Sequence, residues 1–398
     1  MASATTAASL PSAPRLRIQS LDIIRGVVMI LMALDHVRVF SGVPAGSPDP
    51  AVFLTRWVTN FVAPAFVFLA GTGAYLYGRR INDRGALAKF LAIRGLWLIL
   101  LELTFLRFAW TFNFDYAHYM LAGVIWMLGW CMILLAGLIW LPLPAIAAFG
   151  LLVIAGHNLM DFSAAGMFGR NAGASGLGWL LQILYYGGQV GTVSVLYVIV
   201  PWIGVMAAGY AFGRVMEWPS DRRDAFCFKV GAGAILLFVA LRYLDVYGEP
   251  RSWADAPAWH GTPAALRFIG TSKYPASLLF LLMTLGPMIL AIPILEDVSG
   301  AISKMLATIG RVPLFFYILH IPLIHLLALG VSYGRSGAVD PWLFGNHPMD
   351  PPPLPDGYMW SLPLLYAVTG LAVVLLYPAC AWFARLKSER RDSWLTYL

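Results

Sequence analysis

The chain has 398 residues, 60% of them hydrophobic and 12% charged, with a formal net charge of +7 and a mean hydropathy of +0.73. An ordinary globular domain carries about 25% charged residues, and one soluble core cannot bury this much apolar surface. The composition therefore excludes a water-soluble fold, a disordered chain and a coiled coil, and it predicts an all-α, polytopic integral membrane protein.

Residues 1–14, MASATTAASLPSAP, are small and polar, with no apolar stretch ahead of a cleavage site. They read as a disordered cytoplasmic tail, not a signal peptide. A helix needs about 20 apolar residues to span a bilayer. Such runs lie at 19–40, 57–78, 90–112, 119–140, 142–160, 190–213, 229–247, 275–296, 311–333 and 360–384, which predicts about ten transmembrane helices in a single domain over residues 15–386. Segment 176–188 is shorter and glycine-rich, and reads as a re-entrant or interfacial piece. Residues 387–398 form a second cytoplasmic tail. Of the three cysteines, Cys131 and Cys380 fall inside apolar runs and Cys227 in a charged loop, so no disulfide framework or CxxC metal site is expected.

With both termini in the cytoplasm, the cytoplasmic loops carry Arg79, Arg80, Arg84 and Lys89, then Arg214, Arg222, Arg223 and Lys229, then Lys304 and Arg311, and finally Arg385, Lys387, Arg390 and Arg391. The opposite loops hold only Arg170, Arg251, Arg267, Lys273 and Arg335. This is the asymmetry of the positive-inside rule, and it explains the pI near 9.3 without a nucleic-acid partner. The outer loops 248–274 and 334–359 are rich in Trp, Pro and Asp, and read either as a lid or as stiff connections.

Ionisable residues within a span are costly and mark functional paths. The first span, SLDIIRGVVMILMALDHVRVF, holds Asp22, Arg25, Asp35, His36 and Arg38. Arg25 and His36 lie eleven residues apart, within about 20° of one helix face, and Asp22, Met29 and Met32 share that stripe. Asp35 diverges from His36 by about 100°; it is expected to pair with Arg38, or to orient a histidine from another helix. The second span opens on Arg56, Trp57, Thr59 and Asn60, where Arg56 and Asn60 could hold a polar ligand or an oxyanion, or Arg56 could simply anchor at the interface. Span nine carries His320 and His325, about 140° apart and so unsuited to chelating one metal. Lys273 and Tyr274 open the eighth span and would meet a hydroxylated acceptor or anchor there. No P-loop, dinucleotide fingerprint, HExxH or GxSxG occurs, which leaves proton-coupled transport, phosphoryl or glycosyl transfer on a lipid carrier, and acyl transfer.

The stretch RIQSLDIIRGVVMILMALDH, followed by RWVTNFVAPAFVFLAGTGAYLYG, resembles the bacterial branch of the heparan-alpha-glucosaminide N-acetyltransferase catalytic-domain family, within the wider transmembrane acyltransferase group. The blocks PWIGVMAAGYAFGR, TSKYPASLLFLLMTLGP and IGRVPLFFYILHIPLIH extend the resemblance over residues 15 to about 385. It implies a bacterial inner-membrane enzyme, compatible with a homodimer, that moves an acetyl group from cytoplasmic acetyl-CoA to an envelope saccharide amine or hydroxyl on the other side.

Arg25 and His36 match an Arg and His that many transmembrane acyltransferases carry in the first span. Loop 41–55 lacks the histidine of lysosomal members, and Asn60 stands where bacterial relatives commonly have His. The resemblance thus leaves His36 as the active histidine, or a variant chemistry. His36, Asp35 and Asn60 become the catalytic candidates, with His36 as general base or nucleophile. Arg25, Arg79, Arg80 and Arg311 become the acetyl-CoA candidates. Asp22, Arg38, Arg56, Lys273, Tyr274, His320 and His325 become the acceptor-side candidates, and no metal is expected. The competing expectation is a transporter of a small anion or lipid-linked intermediate with His36, His320 and His325 as a proton relay.

Overall fold

The computed structural model describes residues 18–161, 178–349, 351–390 and 395. The tail 1–14, residues 176–177, Arg170, Arg391 and most of the tail 387–398 lie outside the described residues.

The first helix, α1 (Gln19–Ser41), ends at Gly42 in left-handed backbone (φ 72°). A continuous helical segment follows, made of α2 (Pro50–Trp57), a tight turn at Val58–Phe61 and α3 (Val62–Ile81). Next come α4 (Arg84–Leu101), a π-helical turn at Glu102–Leu106 and α5 (Arg107–Thr111). After α6 (Val124–Leu138) and α7 (Leu143–Gly156) comes the short α8 (Gly178–Leu181). The chain continues through α9 (Val200–Phe212), α10 (Ser220–Leu244), α11 (Ala264–Ile269) and α12 (Leu278–Glu296). It finishes with α13 (Ala301–Gly310), α14 (Pro313–Ser336) and α15 (Leu362–Glu389).

Each of the ten apolar runs contains a helix, but among the described residues five helical segments are long and apolar enough to cross a membrane: Pro50–Ile81, Ser220–Leu244, Leu278–Glu296, Pro313–Ser336 and Leu362–Glu389. The others fall short for identifiable reasons. α1 carries Asp22, Arg25, Asp35 and Arg38, while α6 and α7 have only 15 and 14 residues.

The all-α expectation holds, with one small sheet set among the helices. Runs 119–140 and 190–213 begin as strands, β1 (Met120–Ala122) and β3 (Val193–Val195), joined by β2 (Gly188–Val190) into a sheet of order β1-β3-β2. β1 pairs with β3 in parallel, with Leu121 opposite Ser194, and β2 pairs with β3 antiparallel, with Gln189 opposite Ser194. Gly191, at φ 60°, makes the tight reversal between β2 and β3, and the β-branched Val190, Val193 and Val195 favour the extended backbone around it.

α1 is the central helix, packed by α3, α12, α13, α14 and α15. Its Val28, Met29, Met32, Ala33 and Val37 are buried on several faces. Glycines set the closest approaches. A Cβ on Gly26 would overlap the Leu306 carbonyl of α13, and one on Gly310 would overlap the Asp22 carbonyl of α1. α4 and α6 cross in the same reciprocal way, each of Gly95 and Gly129 leaving only 2.5 Å between a built Cβ and the other's carbonyl oxygen. Such small-residue contacts let helices associate where lipid offers no hydrophobic driving force. The outward surface is strongly apolar: Leu152, Leu236, Val374 and Trp382 are all exposed, an unfavourable surface in water and a suitable one in acyl chains.

The loops beyond the end of α1 are tied by arginines. Buried Arg242 donates to the carbonyls of Arg251, Arg267, Phe268 and Gly270 and so shapes the loop 248–274. Arg335 reaches the carbonyls of Gly357 and Tyr358. Buried Arg107 donates to the Tyr119 and Asp115 carbonyls. Loop 334–359 and the residue after it also satisfy the last carbonyls of α1, through Asn346 to Val39, the Tyr358 hydroxyl to Phe40 and the Trp360 amide to Ser41, groups that a helix end otherwise leaves unpaired.

Candidate functional site: two cavities and a histidine pair beside the first helix

The sequence of α1 places charge at both ends of a buried helix, and a cavity lies at each. The proximal cavity, about 370 Å³, is lined by Arg25, Arg80, Arg94, Arg311 and Lys387, by apolar residues including Phe66, Leu98 and Leu128, and by Tyr317. Asp22 joins two of these cations: Arg25 donates to it at 3.3 Å, and the Arg311 Nε lies 4.0 Å from its other oxygen. Arg25 also donates to the Leu69 carbonyl of α3. Asp22 therefore sits with the proximal cations and away from the other acceptor-side candidates.

The distal cavity, about 470 Å³, is lined by Arg56, Asn60, Lys273 and Tyr274, by Trp57 and Trp259, and by Arg251 and His260. Asp35 ties this side to α1. It accepts from Arg38 at 3.0 Å and faces the Arg56 Nε at 3.8 Å, so Arg38 is its i,i+3 partner. Arg56 also donates to Thr59 and to the Asn60 side-chain oxygen, and Arg38 donates to the Val43 carbonyl. Lys273 is buried, with its ammonium 5.4 Å from the Tyr274 ring and 5.9 Å from the Tyr197 ring. Burial pulls its pKa below the ordinary lysine value, with Tyr274 and Asp35 opposing the shift.

Between the cavities, His36 of α1 meets His320 of α14. The His36 Nδ1 lies 2.6 Å from the His320 Nε2, with the rings stacked at 4.8 Å. Trp110 stands edge-on to His36 at 4.8 Å, and the Tyr317 ring is 6.2 Å away. Tyr317 thus touches the pair on one side and lines the proximal cavity on the other. His320 is fully buried, whereas His36 remains partly accessible.

His325 is not part of this pair. Its Nδ1 donates to the Ala109 carbonyl, and its ring stacks on Phe112 at 3.9 Å, where it packs the end of α5. Arg79 is separated from Arg80 as well: it pairs with Glu217 at 3.1 Å and lines a third cavity with Arg84 and Arg214. Adjacent helical residues diverge by about 100°, so the two arginines cannot serve one pocket.

Several residues at the site were not singled out from sequence: Trp110, Tyr317, Arg94, Lys387 and Glu102. Glu102 carried a readable signal, as did Arg107, because both are ionisable residues inside the apolar run 90–112. Glu102 is buried at the π-helical turn and accepts the amides of Ile125 at 2.8 Å and Trp126 at 3.2 Å, capping the start of α6. Its carboxylate meets helix-terminal donors there. Among the described residues, no group of three or more His, Cys, Asp or Glu side chains converges as a metal site would require.

Residues 17–247 match the family described as heparan-alpha-glucosaminide N-acetyltransferase, catalytic. The chain belongs to that family. The heparan-alpha-glucosaminide N-acetyltransferase match takes in α1 to α10, hence Arg25, Asp35, His36, Arg56 and Asn60. It ends before Lys273, Tyr274, His320 and His325, so the resemblance drawn from residues 271–287 and 309–325 lies beyond the matched stretch. A search of curated proteins finds no match. The family and the five long apolar helices together describe an integral membrane protein with membrane acetyltransferase-type activity.

Proposed function

We propose that the protein moves an acetyl group from cytoplasmic acetyl-CoA, held in the proximal cavity, to a saccharide amine or hydroxyl in the distal cavity, across a bacterial inner membrane spanned about ten times with both termini in the cytoplasm. The observation that carries this reading is that two separate cavities lie at opposite ends of α1 and His36 has a link toward each: the Tyr317 ring of the proximal lining stands 6.2 Å from its ring, and Arg56 of the distal lining pairs with Asp35, its neighbour in sequence.

The proximal lining fits an acyl-CoA. Arg25, Arg80, Arg94, Arg311 and Lys387 offer phosphate partners, and the Phe66, Leu98 and Leu128 wall accepts an apolar chain. When bound, the donor supplies an activated thioester. His36 takes a proton from the acceptor as general base, or receives the acyl group itself. Arg56, Asn60 and Lys273 orient the acceptor or donate to the developing oxyanion, and removing one such donor typically costs about 10²-fold or more in rate. The aromatic faces of Trp57 and Trp259 suit the apolar face of a sugar ring.

The test is CoA release by purified protein in lipid nanodiscs, with and without mixed glucosamine-containing oligosaccharides, for wild type and His36→Ala. Acceptor-dependent release that is lost in His36→Ala is the expected result. Proton-dependent solute uptake into proteoliposomes, with neither acetyl-CoA binding nor CoA release, would instead favour the transporter.

A further inference from the structure

From the hydrogen bonds around His36 and His320 we infer that His320 is a positioning residue that fixes His36 in the Nδ1–H tautomer and leaves the His36 Nε2 lone pair as the proton acceptor of the reaction. The inference rests on the acyltransferase reading for its purpose, but not for its geometry.

The argument starts at the far end of the pair. The His320 Nδ1 lies 2.6 Å from the Tyr317 carbonyl and 3.2 Å from the Phe316 carbonyl, both in its own helix. Carbonyl oxygens only accept, so His320 Nδ1 carries a hydrogen. His320 is fully buried, and an imidazolium there would need a paired anion. Among the described residues it meets two backbone carbonyls, the His36 nitrogen and the rings of Phe316 and Tyr317, and no carboxylate pairs with it. The ring is therefore neutral, and its Nε2 is a lone pair.

A nitrogen 2.6 Å from that lone pair must be a donor, so His36 carries its hydrogen on Nδ1. The other His36 nitrogen, Nε2, is then unprotonated, and it has no hydrogen-bond partner among the described residues. Stacking on His320 and the edge of Trp110 hold the ring in place. His320 thus does for His36 what an acidic residue does for the histidine of a hydrolase triad: it selects the tautomer and orientation through the ring nitrogen remote from the chemistry. A neutral partner adds no negative charge at a depth where an unpaired carboxylate would be costly.

In the transfer the balance is simple. The acceptor's nitrogen or oxygen bonds to the acyl carbon, the carbon–sulfur bond breaks, and the acceptor's proton passes to His36 Nε2 and on to the departing thiolate. His36 Nδ1–H stays donated to His320 throughout, so the pair begins and ends in the same state.

The test reads the tautomer directly. Nitrogen-15 histidine spectra of the whole protein in detergent micelles, with the His36 signals assigned by their loss in His36→Asn, are expected to show His36 protonated at Nδ1 and bare at Nε2. In His320→Leu that preference should be lost, giving a mixture of tautomers. His320→Gln, whose side-chain oxygen reaches the place of Nε2, should restore it. CoA release should follow the same order, falling about 100-fold or more in His320→Leu and staying within about tenfold of wild type in His320→Gln.

A wild-type His36 protonated at Nε2 overturns the inference, and so does a His36 tautomer unchanged in a folded His320→Leu. The wild-type spectrum decides the matter even where that variant does not fold. If the tautomer is as expected while wild type releases no CoA with any acceptor, the pair stands and the acyltransferase reading falls.

Discussion

Asp35 on α1 and Arg56 on α2 face each other at 3.8 Å, and the Arg38 Nε lies 3.0 Å from the same carboxylate oxygen. One acid therefore compensates two largely buried guanidinium groups, and the relation is unequal. Asp35→Asn leaves both cations without their counter-charge, and breaking a buried pair in this way costs about 3 kcal/mol or more. The expected outcome is a clear drop in the melting temperature of the detergent-solubilised protein, larger than that of Arg56→Gln, which leaves Asp35 still paired with Arg38. Comparing the two melting curves tests the ranking.

Lys387 and Arg94 line the proximal cavity beside Arg25 and Arg311. If their charge serves the donor's phosphates as uniform binding, Lys387→Ala should raise the KM for acetyl-CoA about fivefold to tenfold and leave kcat near wild type. The effect should shrink as salt screens the remaining charges. Initial rates at two salt concentrations decide it, and an equal fall in kcat would assign Lys387 a different role.

Gly310 offers a packing test of the proximal cavity. A methyl group there meets the Asp22 carbonyl, which is rigid backbone and cannot yield. Gly310→Ala should force α13 away from α1, with an overpacking cost of about 1–3 kcal/mol, and displace the neighbouring Arg311. Loss of acetyl-CoA-induced thermal stabilisation, with Gly330→Ala on the open side of α14 as the control that retains it, is the expected pattern.

Lys273 gives a pH prediction whose sign is fixed. Its pKa is below the 10.5 of a free lysine because burial penalises the ammonium. Between the folded pKa and 10.5, the unfolded chain binds the proton that the folded chain lacks, so this residue makes stability rise with pH. Below the folded pKa the penalty is present in full. Lys273→Met should therefore melt higher than wild type at neutral pH, and the difference should narrow as pH climbs toward 10.5. A gap that is constant with pH would show that the burial of charge is not its cause.

The sequence revealed the helices and the polar stripe of α1 because both are local patterns, with a period near 3.6 residues and charge where lipid forbids it. The Asp35–Arg38 pair is local in the same sense, and its i,i+3 spacing announces it. His320 stands 284 residues from His36, and no periodicity specifies which face of α14 meets α1. Arg79 and Arg80 are neighbours in sequence, which on a helix sends them to different cavities. The ten residues of α13 fall short of a span and include Lys304, so in sequence they look like part of a loop. Glu102 and Arg107 are a different case: the rule that singled out α1 applies to run 90–112 as well.

The arginines that hold the loops beyond the end of α1 take backbone carbonyls as partners, and for Arg242 all four acceptors are main-chain oxygens. A carbonyl is the one acceptor every residue provides. Substitution within loop 248–274 can thus exchange Arg251, Trp259 or His260 on the distal wall while the anchor beneath stays intact. The frame of the cavity and the chemistry of its surface thus rest on different residues, so the wall can be rewritten by substitution without disturbing the anchor that holds it in shape.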